Sequence, residues 1–84
     1  MDKHSIMRKL LRKLANLNIW GGKHTEIKNL KKCLPRHLRG EKVAEQAIKE
    51  LMQSEFIQAK LSTNEIHLSL NPRKKKEIYE FLSK

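Results

Sequence analysis

Gly21-Gly22-Lys23-His24-Thr25 sets two glycines, a lysine and a hydroxyl in an order that invites phosphate chemistry. A nucleoside-triphosphate loop needs an earlier glycine, and Gly-Lys followed directly by Ser or Thr. The earlier position holds Leu17, and His24 separates Lys23 from Thr25. Triphosphate binding is therefore not expected. A weaker reading stands, in which exposed amides at a helix start, with Lys23 beside them, hold one backbone phosphate. The competing reading is conformational: the glycines let Trp20 tuck into the core. Trp20 itself reads either as a base-stacking platform or as a core anchor between the first two helices.

His4, His24, His37 and His67 fall on different elements, and no pair has metal-ligand spacing. No metal and no cofactor is expected. Cys33 is the single cysteine, which excludes an internal disulfide and suits a reducing cytoplasm. Lys31 and Lys32 on the same helix would lower its pKa somewhat. Nothing else supports a nucleophilic centre, and so small a domain leaves little room for a substrate pocket. Catalysis is not expected.

Charge is the stronger signal. Eleven of the first forty residues are Lys or Arg, opposed only by Asp2 and Glu26, so +9 of the formal +10 lies there. Such a lopsided field attracts polyanions at long range, and nucleic acid is the obvious one. Arg73-Lys74-Lys75-Lys76 adds four cations at a helix start, against its macrodipole. Glu77 and Glu80 can pair with Arg73 and Lys76, in the less favourable order. Either a phosphate partner or simple solubility explains that run.

The periodicities organise 84 residues into one domain, 1–84, of class α+β. Ile6, Met7, Leu10, Leu11, Leu14 and Leu17 make the apolar stripe of a first helix, Asp2 to Leu17, capped by Asp2 or Ser5. Arg8, Lys9 and Arg12 fall opposite, flanked by Lys13. A loop follows from Asn16 to Thr25. Thr25 is the expected N-cap of a second helix, Glu26 to Cys33, which Pro35 ends. A connector, Pro35 to Gly40, leads to a third helix from Glu41 to Gln53. Val43, Ala44, Ala47, Ile48, Leu51 and Met52 form its apolar side.

The period then changes to two. Ile57, Ala59 and Leu61, then Ile66, Leu68 and Leu70, outline a β-hairpin around Ser62-Thr63-Asn64-Glu65, with Asn64 the expected left-handed residue. Asn71-Pro72 starts a fourth helix, whose apolar face is Ile78, Tyr79, Phe81 and Leu82. No apolar run approaches the length of a membrane span, and the interrupted N-terminus does not resemble a signal peptide. The first helix could lie on a membrane only by giving up the stripe that a small core needs.

The order helix, helix, helix, hairpin, helix resembles a winged helix-turn-helix domain, most closely from Thr25 to Leu70. The resemblance implies a three-helix core, a two-stranded β-hairpin wing and a C-terminal helix. One departure is Ser54-Glu55, where that pattern usually has glycine before the hydrophobic exit Phe56-Ile57. Trp20-Gly21-Gly22-Lys23-His24-Thr25, with Ser69-Leu70-Asn71-Pro72, is also similar to a group of small uncharacterised archaeal proteins of this fold.

The resemblance implies a non-catalytic cytoplasmic nucleic-acid-binding protein, with double-stranded DNA favoured over RNA and transcriptional regulation as the usual task. Arg36, Arg39, Lys42, Gln46 and Lys49 would enter or flank the major groove. Lys60, Asn64 and His67 would serve the wing. Lys23, Lys28 and Lys32 would hold phosphates, and Arg73 another beside the wing. Glu45 makes the third helix nearly neutral, which favours an RNA or ribonucleoprotein alternative. The other alternative is a protein-interaction module, with Tyr79, Phe81 and Leu82 as a homodimer face.

Overall fold

A computed structural model describes residues 1–84, with side chains for all but Ser62. Helix α1 spans Lys3–Asn16, strand β1 Thr25–Glu26 and helix α2 Ile27–Lys31. A 3-10 turn at Arg36–Leu38 precedes α3, Lys42–Gln53. Strands β2, Ile57–Ser62, and β3, Glu65–Leu70, form the hairpin. A second 3-10 turn, Pro72–Lys74, leads into α4, Lys75–Leu82. Among the described residues no helix is long and apolar enough to cross a membrane.

The sheet is antiparallel with three strands in the order β1-β3-β2, where periodicity gave only two. Thr25 pairs with Leu68 and Glu26 with His67. The pairing places Thr25 in the sheet, and Glu26 becomes the N-cap of α2, with no side-chain cap bond. The helix is accordingly shorter than the expected Glu26 to Cys33.

α1 begins as expected, with Asp2 accepting from the Ser5 N–H at 2.8 Å. That bond holds the Asp2 carboxyl below the usual range. Ile6, Met7, Leu10, Leu11 and Leu14 are buried against Ala44, Ala47, Ile48 and Leu51 of α3. The two alanines admit close approach. Leu17, expected in the stripe, is exposed, as is Met52. Leu17 is excluded because the chain reverses just beyond it: Asn18 takes φ +57° and delivers Ile19 to the core instead.

Both long helices end in the same way. Ile19 N–H donates to Leu14 O, and Asn18 N–H to Ala15 O, each at 3.0 Å. Phe56 N–H donates to Leu51 O at 3.0 Å, and Glu55 N–H to Met52 O at 3.1 Å. These are Schellman ends, which glycine normally completes. Here Asn18 and Glu55 (φ +63°) do so. A left-handed non-glycine residue costs about 1–2 kcal/mol. At Glu55 the offset is visible, since buried Asn71 donates from Nδ2 to Glu55 O at 2.9 Å.

The hairpin turns through Thr63 (φ +47°) and Asn64 (φ +66°), the type I′ geometry that matches strand twist. Its inner half is buried at Ile57, Leu68 and Leu70, whereas its outer pair, Leu61 opposite Ile66, lies exposed beyond the core. Gly21 has φ +58°, and a Cβ there would meet Pro72 Cγ at 3.3 Å, so one glycine of the pair is required. Trp20 is partly buried against the core, 5.9 Å from the Tyr79 ring of α4.

Asn71 also accepts from Arg73 N–H at 3.1 Å, capping the turn into α4. Asn71→Ala therefore orphans a carbonyl and an amide together. A loss of about 2 kcal/mol is expected in chemical denaturation. Asn71→Asp, which keeps the acceptor and loses the donor, should fall between the two.

Candidate nucleic-acid interface

Lys42, Glu45, Gln46 and Lys49 recur at three- and four-residue steps along α3, so one face carries all four. Their side chains are exposed and line a shallow groove of about 320 Å³. On the opposite face of α3, Ala44, Ala47, Ile48 and Leu51 are buried in the core. Three of the predicted site residues are thus brought together, with Glu45 among them.

Arg36 is exposed on the 3-10 turn just before α3. Arg39 is different. Its Nε donates to Leu34 O and its Nη2 to Lys32 O, both at 3.1 Å. These carbonyls lie at the end of α2, where a cation both satisfies acceptors and complements the dipole. Arg39 was expected at the groove, and its half-buried guanidinium instead ties α2 to the turn preceding α3.

Lys60 and Asn64 are exposed on the outer half of the hairpin. His67, expected to reach a partner from the wing, is instead engaged by neighbours on the outer face of the sheet. Its Nδ1 lies 3.0 Å from His24 Nδ1, and its Nε2 lies 3.5 Å from Glu65 Oε2. Sequence spacing did not reveal that histidine pair. The usable signal was register: once β1 pairs with β3, the residue before Thr25 must meet the outer face beside His67.

Lys23 is exposed on the loop, Lys28 on α2 and Lys32 at its C-cap. Arg73 is exposed on the turn before α4, which places part of the basic run outside the helix proper. Lys74 pairs with Glu77 at 3.9 Å, replacing the expected Arg73 and Lys76 pairs. Lys75 Nζ lies 5.7 Å from the Trp20 ring centroid.

The cationic stripe of α1 is divided. Arg12 Nη2 donates to Leu82 O at 3.2 Å, and Arg8 Nη1 donates to Lys84 O. Both serve the C-terminal end of α4. Lys3 pairs with Glu50 at 3.3 Å. Lys9 and Lys13 remain exposed on the side that faces Cys33. Burial pushes the Cys33 thiol up, outweighing Lys9, Lys13 and Arg39, which pull it down. The expected lowering by Lys31 and Lys32 does not occur, and the thiol stays protonated and weakly nucleophilic at neutral pH.

The apolar face of α4 is used within the chain. Ile78 is fully buried, and Phe81 packs edge-on against Phe56 at 5.9 Å and near His4 at 4.8 Å. Leu82 is half-buried, so of the expected homodimer face only Tyr79 is exposed.

No protein-family model, no curated protein and no solved structure matches the chain.

The division of labour between Arg36 and Arg39 is testable by denaturation. Arg39→Ala should lose roughly 1–2 kcal/mol, because two carbonyls lose a charged donor. Arg36→Ala should stay within about 0.5 kcal/mol.

Proposed function

We propose that the chain is a winged helix-turn-helix domain that binds double-stranded DNA without catalysis, in a reducing cytoplasm. The observation that carries this reading is the α3 face. Lys42, Gln46 and Lys49 stand free on one side of a helix whose other side is fixed in the core. A reading helix needs that arrangement: side chains able to reach base edges, on an element that cannot shift.

The hairpin supports the same reading. It extends past its own core, carrying Lys60, Asn64 and the exposed Leu61–Ile66 pair at its outer end. Cations and apolar side chains together suit a minor-groove or sugar-phosphate contact. Arg36, Lys28, Lys32 and Lys23 supply further exposed charge for phosphates, and Arg73 adds one beside the second 3-10 turn. Gln46 is the residue suited to adenine and Lys49 to guanine, while Glu45 is compatible with a cytosine amino group. Glu45 also repels phosphate, so affinity comes chiefly from backbone contacts flanking α3.

The test is a titration of labelled random duplex DNA and a matched RNA hairpin at two salt concentrations. Salt-sensitive binding that favours duplex DNA is expected. Arg36→Glu with Lys49→Glu should weaken it and lower the salt slope by about two phosphate contacts. Gln46→Ala should change sequence preference with little loss of nonspecific affinity. Preference for the RNA hairpin would transfer the reading to ribonucleoprotein binding. Absence of binding to both at low salt would leave protein docking and end the nucleic-acid reading.

A further inference from the structure

His24 and His67 are 43 residues apart, yet the β1–β3 pairing sets their rings edge to face, with centroids 4.8 Å apart and Nδ1 atoms 3.0 Å apart. Two nitrogens each ~2.0–2.1 Å from one metal ion lie about 2.9–3.4 Å apart, from right-angled to tetrahedral coordination. The observed separation falls inside that range. Glu65 Oε2, 3.5 Å from His67 Nε2, favours the proton on that nitrogen and leaves Nδ1 free to accept. A carboxylate behind an imidazole is the usual support for a ligating histidine.

We propose that His24 and His67 form a two-histidine site for a borderline divalent cation such as Zn²⁺, with Glu65 as the positioning residue. Imidazole pairs favour Zn²⁺, Ni²⁺ or Cu²⁺ over Mg²⁺ or Ca²⁺. Among the described residues no group of three His, Cys, Asp or Glu could hold a metal ion, so the chain supplies two ligands. The remaining positions go to water or to a small anion. An open cleft of about 290 Å³ adjoins His24, lined also by Gly21, Gln58, Ala59, Lys60 and Ser69. Glu26 and Lys60 are the cross-strand neighbours of His67, so one acidic and one basic group flank it in addition to Glu65. Binding exchanges the Nδ1–Nδ1 hydrogen bond for two metal–nitrogen bonds, with the His24 proton held on Nε2. The bound ion would staple the loop before β1 to the hairpin.

The site is independent of the nucleic-acid reading. The test is calorimetric titration of the full chain with zinc chloride, paired with the thermal unfolding midpoint. One-to-one binding and a raised midpoint are expected, reversed by a chelator. His24→Ala and His67→Ala should each abolish both effects, and His37→Ala should leave both intact. Glu65→Ala should weaken binding by about tenfold or more. His24 is exposed on a loop, so its variant decides the matter even if the strand variant fails to fold. Saturable one-to-one binding that survives His24→Ala would overturn the proposal, as would no heat and no midpoint shift at millimolar zinc.

Discussion

Leu70 donates its N–H to Ile19 O at 2.9 Å and accepts from Gly21 N–H at 3.0 Å, while its side chain is fully buried. The two residues after it extend that anchor. Asn71 donates its backbone N–H to Phe56 O and its side-chain amide to Glu55 O. Pro72 packs over Gly21 and opens the turn into α4. Three consecutive residues thus meet the exit of α1, the exit of α3 and the start of α4. A core built from 84 residues has little burial to spare, and its helix ends must be held by backbone bonds as much as by side chains. The α3 face and the hairpin are rigidly related because both emerge from this junction.

Cations divide between architecture and surface along the same lines. Arg12 satisfies the last carbonyl of α4, Arg8 the Lys84 oxygen just beyond that helix, and Arg39 two carbonyls just past the end of α2. Each bond sets a positive charge at the negative end of a helix. Guanidinium groups perform all three, and at Arg39 the forked donors span two carbonyls, which an ammonium does less well. The lysines are mostly left in solvent, and it is they, with Arg36 and Arg73, that give the surface its field. Net charge alone overstates the charge free at the surface, because part of it closes helix ends.

Periodicity disclosed the four helices, the hairpin and the greater part of the core. The 3.6-residue stripe of α1 and the alternation from Ile57 to Leu70 are patterns that burial itself imposes. The two-residue strand β1 lacks such a pattern: Thr25 and Glu26 are too few to alternate, and its existence depends on Leu68 and His67 far along the chain. The Schellman ends were hidden because Asn18 and Glu55 stand where glycine is expected. At Glu55 the compensating contact comes from Asn71. The α3 face was legible from residue spacing. The roles of Arg39 and His67 were not, since a side chain's partner across the fold leaves no local trace in sequence.

The proposed nucleic-acid surface joins the α3 face to the outer hairpin. Amide chemical-shift mapping by NMR, with a duplex DNA added to the labelled chain, addresses it most directly. The largest changes are expected to cluster at Lys42, Gln46, Lys49, Lys60 and Asn64, with Arg36 at the margin. Changes confined to Lys9, Lys13 and the α2 side, with α3 and the hairpin silent, would overturn that surface and place the polyanion away from α3.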